Sequence, residues 1–431
     1  MEKQVKKMGF WSIFLLGITG IIGSGIFLLP SQATAQVGVA SIFVFIFDAL
    51  LILCIALCFA KAATYFEKDG GPYLYAKDAF GDFVGFEVGF VTWAIRIIAE
   101  ATMAVAFTTA LSAIFPYFAT VTGKMIVVTL FVVILAAMNI AGVGLSKIVI
   151  NLVTVSKLVP LLLFIAVGIF FIKGANFTPI VPSAHISGHT WASVAMLLFY
   201  AFTGIEAVGV AAGDMKHPKR DIPRALISIT LAVAVIYILI QTVSIGILGQ
   251  STLAKSAVPI QDAFATVAGG FGKSIVAAGT LLSTGGLLIA SSYVTPRSGV
   301  ALAEGDMMPK VVAKRNRRNA PWVAIVVSAT LTLTIAYSGS FAQLALISAV
   351  SRFAQYIPTC LAVIVYSKTK KGMESSFHLP FGPIIPALAV IVSLYLLSQV
   401  KTENLLWGLG ALGIAVPFYF LMKALNPKAT E

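Results

Sequence analysis

Charge is scarce in this chain. Only 11% of its 431 residues are Asp, Glu, Lys or Arg, whereas 59% are hydrophobic and the mean hydropathy is +0.96. A soluble domain carries about 25% charged residues, so the composition excludes an ordinary water-soluble fold. Cysteine is scarcer still: Cys54, Cys58 and Cys360 are the only three, and all fall in apolar stretches. Cys54 and Cys58 share a helical face, but no His or further Cys accompanies them, which argues for packing thiols and against a metal site. The four histidines, His185, His189, His217 and His378, lie outside the confident apolar spans. That leaves a membrane enzyme without a nucleophile–base or metal constellation, and neither a metal nor a cofactor is expected.

Acidic residues are also short, 17 against 30 basic ones, for a net charge of +13. Such a balance invites a nucleic-acid partner, but the positions of the charges argue against one. What the chain has in abundance is apolar length. About twelve spans, 12–37, 39–60, 83–114, 124–141, 150–172, 191–213, 225–248, 274–303, 322–338, 340–366, 383–400 and 404–422, are long enough or nearly so for the ~20 residues that cross a hydrocarbon core. With the N-terminus inside, the basic residues crowd the cytoplasmic segments, and the far side receives only Lys124, Lys173, Lys255, Lys273 and Lys401. This positive-inside asymmetry predicts a multi-pass protein of the cell membrane, lipid its surroundings, with both termini cytoplasmic. The basic run Lys314-Arg315-Asn316-Arg317-Arg318 then reads as a topology anchor. The first apolar stretch exceeds a signal peptide's core and shows no clear cleavage site, so it is expected to remain as a span.

Two spans are interrupted. One reads Gly17-Ile18-Thr19-Gly20-Ile21-Ile22-Gly23-Ser24-Gly25-Ile26-Phe27; the other reads Tyr200-Ala201-Phe202-Thr203-Gly204-Ile205-Glu206. Irregular backbone at membrane depth is tolerated only where protein buries it or where it lines a cavity. Matching interruptions in two halves are the best sequence pointer to a transporter's substrate site. Spans one to five (1–173) and six to ten (174–366) form two such halves, with the last two spans and the C-terminus (367–431) appended. Five spans per half force the second half to insert inverted. The all-α fold expected is therefore a LeuT-like 5+5 inverted repeat with spans one and six discontinuous.

Between spans two and three, residues 61–82 hold a Gly70-Gly71-Pro72 breaker and an aromatic stretch with Tyr73, Tyr75 and Phe80. It is expected to lie along the cytoplasmic interface or to cover an inner vestibule. The segment 214–223 is charged, carries two prolines and separates span six from span seven.

Four motifs then resemble one family, in its order, over about 300 residues. Gly23-Ser24-Gly25-Ile26-Phe27 is similar to the first-span signature of the amino acid–polyamine–organocation (APC) superfamily. The GGPYLYAKDAFG segment, the run 202–206 with the following 216–225, and Glu304-Gly305-Asp306-Met307-Met308-Pro309 resemble further patterns of that family. The resemblance implies a secondary-active amino acid transporter working by alternating access, as a proton symporter or an exchanger. A polyamine or amino acid/decarboxylated-amine antiporter is the alternative, and an amino acid sensor a remote one.

Site residues follow from the motifs. Freed amides at Gly23, Ser24 and Gly25 open a half-helix whose N-terminus suits a carboxylate; the resemblance implies that Ser24 and Gly25 hold it, with Ile21 nearby. Small residues also serve helix packing, which is the plainer reading. Carbonyls released around Phe202, Thr203, Gly204 and Ile205 offer acceptors for an α-ammonium. Phe202 matches an aromatic position that gates related transporters, and Tyr200 falls where the arginine–agmatine exchanger has a tryptophan. Glu206 is similar to a proton-sensing or gating acid. Lys157, deep in span five without an acidic partner in sequence, resembles the lysine that replaces sodium in sodium-independent members. Arg96 and Glu100, spaced i, i+4, read as a neutralised pair or, by the resemblance, as contacts to the substrate side chain. Arg352 is expected to join Glu100. Ser291 and Ser292 are possible sodium ligands that Lys157 argues against. Ala290 stands where the exchanger has a bulky tryptophan, which implies a roomier pocket. Asp48 has no assigned partner, and the identity of the amino acid and the oligomeric state are not legible.

Overall fold

The computed structural model describes residues 9–66, 70–142, 147–181, 186–210, 215, 217–370 and 377–425. The chain opens with α1 (Phe10–Ile21) and α2 (Ser24–Val37), one apolar run cut in two. The cut falls where Ile22 turns extended (φ −68°, ψ 102°) and Gly23 takes φ −132°, ψ −148°, so the i to i−4 ladder stops. Next come α3 (Ser41–Ala63), α4 (Pro72–Phe80), α5 (Asp82–Ser112), α6 (Val121–Ile140) and α7 (Lys147–Gly168). The second half holds α8 (Gly188–Phe199), α9 (Glu206–Val210), α10 (Pro218–Leu248), α11 (Gln250–Leu253) and α12 (Pro259–Glu304). Helices α13 (Trp322–Tyr337), α14 (Phe341–Thr369), α15 (Ile384–Ser398) and α16 (Thr402–Leu425) complete the all-α fold.

Eight described helical stretches are long and apolar enough to cross a bilayer. Four shorter apolar ones, Phe10–Ile21, Val155–Phe171, Trp322–Tyr337 and Ile384–Ser398, accompany them. Proline sets two starts earlier than hydropathy suggests. Helix α10 begins at Pro218 and α12 at Pro259, each with proline in the first turn, where its missing N–H costs nothing. The expected span 274–303 is thus only the latter part of α12, which bends at Ala268 and Gly269 (φ 56°). The polar stretch 61–82 contains a helix, α4. Pro72 starts it, and Gly71 (φ 52°) and Gly81 (φ 88°) supply the left-handed flanks. Helix α4 packs on α5 and α14; Tyr75 is buried and its carbonyl accepts the Tyr366 hydroxyl at 2.8 Å. Of the separator at 214–223, residues 214 and 216 lie outside the described residues.

Packing divides the helices into groups. Helices α2, α3, α8 and α10 form one group, with α1 against α10, while α5, α6, α12 and α13 form a second cluster, with α7 against α12. Helix α14 touches both, lying on α3, α5 and α8 as well as on α15 and α16. Within their apolar windows, Gly188–Val208 and Phe341–Thr369 are 78% buried, but Thr402–Leu425 only 17%. The first two are therefore core and the last peripheral. Its Leu406, Trp407, Ile414 and Phe420 are exposed, as the outward side of a peripheral membrane span would be. One buried amide ties the first group together. Gln241 on α10 donates to Thr34 on α2 (2.9 Å) and Ser41 on α3 (2.7 Å), joining three helices through one amide.

Candidate substrate site at the two helix breaks

The two interruptions meet. A Cβ on Gly204 would stand 2.5 Å from the Gly20 carbonyl oxygen, and one on Gly25 would stand 2.7 Å from the Ala201 Cα. Real Cβ atoms do not approach that closely, so these glycines let one main chain lie directly on the other. Gly204 needs to be glycine for a second reason, its φ of +114°.

At the first break, the opening turn of α2 has no side-chain cap, so its leading amides face the gap. Ser24 is fully buried; its hydroxyl lies 3.1 Å from the Tyr200 hydroxyl and 3.5 Å from the Met103 sulfur. Met103 and Leu287 flank Gly23, and Phe341 packs edge-on to Tyr200. The break is thus a polar point within an apolar wall. Ile21, at the end of α1, is buried, with its carbonyl 3.4 Å from the Tyr237 hydroxyl.

At the second break, α8 tightens into a 3-10 turn at Tyr200–Phe202, and Thr203 becomes extended (φ −73°, ψ 154°). The Tyr200 carbonyl is occupied by Thr203, whose hydroxyl donates at 2.7 Å, and the Ala201 carbonyl by the Tyr237 hydroxyl at 3.0 Å. Among the described residues no donor meets the carbonyls of Phe202 and Thr203. Phe202 is buried, and its ring packs with Phe45 and Tyr237, whereas Tyr200 is the aromatic that reaches Ser24. Ile205 is buried too. Ala290 sits half-buried on α12, one turn past Leu287.

Lys157 is fully buried and donates to the carbonyls of Thr19 (2.7 Å) and Ile22 (2.8 Å). The last turn of a helix leaves carbonyls without partners and carries partial negative charge, so the ammonium completes the C-terminal end of α1. Of the two serines weighed as sodium ligands, Ser292 is engaged elsewhere. It donates to Ile289 (2.9 Å), and its hydroxyl and carbonyl accept from Asn139 of α6 at 3.2 Å each.

Three acids and bases are arranged differently from the sequence expectation. Arg352 does not join Glu100; it forms an ion pair with Glu206. The Glu206 carboxylate, at the start of α9, also accepts the Tyr356 hydroxyl (2.8 Å) and the Gly204 amide (3.1 Å). The break at Gly204 frees that amide, and the convergence of three donors decides where Arg352 goes. Nor do Arg96 and Glu100 neutralise each other. No ion pair joins them, although i, i+4 spacing allowed one; Glu100 instead lines a small cavity with Ser292 and Pro296 of α12 and Ser328 of α13. Asp48 is fully buried on α3, with both carboxylate oxygens unpartnered.

Residues 8–416 match the family described as Amino acid permease. The chain belongs to that family. It is a multi-pass transporter of the APC superfamily, not an enzyme. It is similar to an uncharacterized transporter of Mycobacterium tuberculosis, 30% identical over 90% of this chain and 86% of the relative. The branched-chain amino acid permease BcaP of Bacillus subtilis is 25% identical over 100% of the chain and 96% of its own length. The serine/threonine exchanger SteT of the same organism is 27% identical, over 97% of each.

Tyr237 is one component of this candidate site that sequence reasoning missed. Its hydroxyl reaches both breaks, from the middle of α10. One tyrosine in an apolar span carries no periodic or compositional signal; only the fold shows what its hydroxyl faces. Met103 and Tyr356 were missed for the same reason.

Proposed function

We propose that this permease moves an amino acid across the cell membrane by alternating access, without sodium, as a proton symporter or an amino acid exchanger. The substrate's carboxylate meets the first turn of α2 at Ser24 and Gly25, and its ammonium meets the free carbonyls of Phe202 and Thr203. The observation that carries this reading is the meeting of two broken helices, with Lys157 donating to two carbonyls at the end of the first. An ammonium at that place supplies the positive charge that a coupling sodium would otherwise bring. In this reading the site is built from two inverted five-helix repeats, 1–173 and 174–366, with 367–431 appended, and both termini are cytoplasmic.

The substrate proposed is an amino acid with an uncharged side chain. Support comes from the apolar surroundings of Ser24, namely Met103, Leu287 and Phe341, and from relatives named for branched-chain residues and for serine and threonine. The amine-antiporter alternative needs Glu206 and Glu100 as cation partners. Glu206 already holds three donors, which weighs against it. Uptake of labelled leucine and labelled serine by proteoliposomes, challenged with each amino acid and with putrescine, tests the reading. Competition by uncharged amino acids is expected; competition by putrescine alone would overturn it.

A further inference from the structure

Between α5, α6, α12 and α13 lies a small, partly open cavity of about 10 Å³, lined by Glu100, Ser292 and Ser328 among apolar residues that include Val132, Ala136 and Pro296. One water molecule needs roughly this space and two to four polar partners. The partners are present. Glu100 is 4% exposed and Ser328 1%, and Glu100 Oε2 and Ser328 Oγ have no hydrogen-bond partner. Pro296 explains part of the wall. Lacking an N–H, it leaves the Ser292 carbonyl open, and Asn139 from α6 takes the place.

The neighbouring helices bring no counter-charge to Glu100. On α5, Arg96 is one turn away without an ion pair, and its Nε is unpartnered. On α12, Arg297 folds over the Tyr293 ring and donates to the Tyr293 carbonyl. On α14, Arg352 is committed to Glu206. On α6, Lys124 lies two turns before Val132 and donates to the Gly339 carbonyl. Helix α13 contributes only Tyr337, at its far end; Glu403 and Lys423 sit at the two ends of α16. Lys77 and Asp78 of α4 pair with Asp82 and Lys370. An isolated carboxylate in a low-dielectric interior is strongly disfavoured unless a proton or a cation neutralises it.

We propose that Glu100 carries a proton and that one water molecule in this cavity links it to Ser328, forming an intramembrane proton site separate from Lys157 and Glu206. The carboxylic O–H donates to the water oxygen, and a water hydrogen donates to Ser328 Oγ, an atom left without a partner. The site lies within the second helix cluster and does not depend on which solute the permease carries.

Infrared spectroscopy of the purified full chain at neutral pH, in choline buffer, tests this. The wild type should show a carboxylic-acid carbonyl band that moves down in heavy water and is absent from Glu100→Gln. Ser328→Ala, which weakens the bridge but keeps the acid, should shift that band to higher frequency. A wild-type minus Glu100→Gln difference containing only ionised-carboxylate bands would overturn the proposal. So would sodium chloride raising the Tm of wild type above its value in choline chloride, an effect lost in Glu100→Gln, because the neutralising group would then be a metal cation. Should Glu100→Gln fail to fold, Ser328→Ala decides alone, and an unchanged carboxylic-acid band rejects the bridge.

Discussion

Glu206 and Arg352 are paired across the short helix α9 and the long helix α14, and the same carboxylate holds the amide of Gly204 and the hydroxyl of Tyr356. The ion pair therefore fixes the geometry of the second break as well as the distance between two helices. Removing one partner of a buried pair typically costs about 3–5 kcal/mol, because a charge is left uncompensated. Arg352→Ala is expected to lower the Tm by several degrees and to reduce uptake. Exchanging the charges, Glu206→Arg with Arg352→Glu, should not restore uptake, since Gly204 and Tyr356 would then face a donor. Full rescue by the exchange would show that the pair is a simple charge clamp.

Gly25 and Gly204 should tolerate no side chain. Gly25→Val would drive a branched side chain into Ala201, and Gly204→Ala would place a methyl on the Gly20 carbonyl at a backbone angle that alanine resists. Both variants are expected to reach the membrane and elute as folded protein, yet to lose substrate-induced thermal stabilisation and uptake. Normal uptake by Gly25→Val would reduce the meeting of the breaks to packing.

Lys157→Ala removes two hydrogen bonds from a charged donor, each worth about 1.5–3 kcal/mol. Uptake by wild-type liposomes should persist with sodium replaced by choline. The variant should lose about tenfold or more of that uptake and most of its variation with pH, while the ranking of competitors stays the same. Dependence of wild-type uptake on sodium, with the variant's pH profile unaltered, would reject the role of Lys157.

Tyr237→Phe deletes one hydroxyl that joins Ala201 to the neighbourhood of Ile21. The loss of about 0.5–1.5 kcal/mol expected for such a bond should appear as a small drop in Tm. A weaker apparent affinity should accompany it, equal for all competing amino acids. A selective effect on one side chain would mean that Tyr237 touches the substrate directly.

Much of this was legible in the sequence. Long apolar runs, glycines clustered within two of them and a lysine deep in a third have few physical explanations in a bilayer, so the class, the broken helices and the interest of Lys157 could be read directly. Pairing was not legible. Helical spacing offered Arg96 to Glu100, but spacing describes a bare helix, and Glu100 lines a cavity against α12 and α13 instead. Arg352 went to Glu206 because an amide, a hydroxyl and a guanidinium converge there from separate helices. The start of α12 was missed because hydropathy does not register the helix-initiating role of Pro259.

The contact between the broken helices is made of main chain, Gly20 against Gly204 and Gly25 against Ala201. Main-chain atoms have no rotamers with which to absorb a displacement, so the two segments behave as one lever. Lys157 grips that lever from outside, by two carbonyls of α1. If Lys157 couples transport as proposed, a change in its charge is expected to reach both half-sites at once, so that the carboxylate and ammonium ends of a bound solute are loosened or seized together.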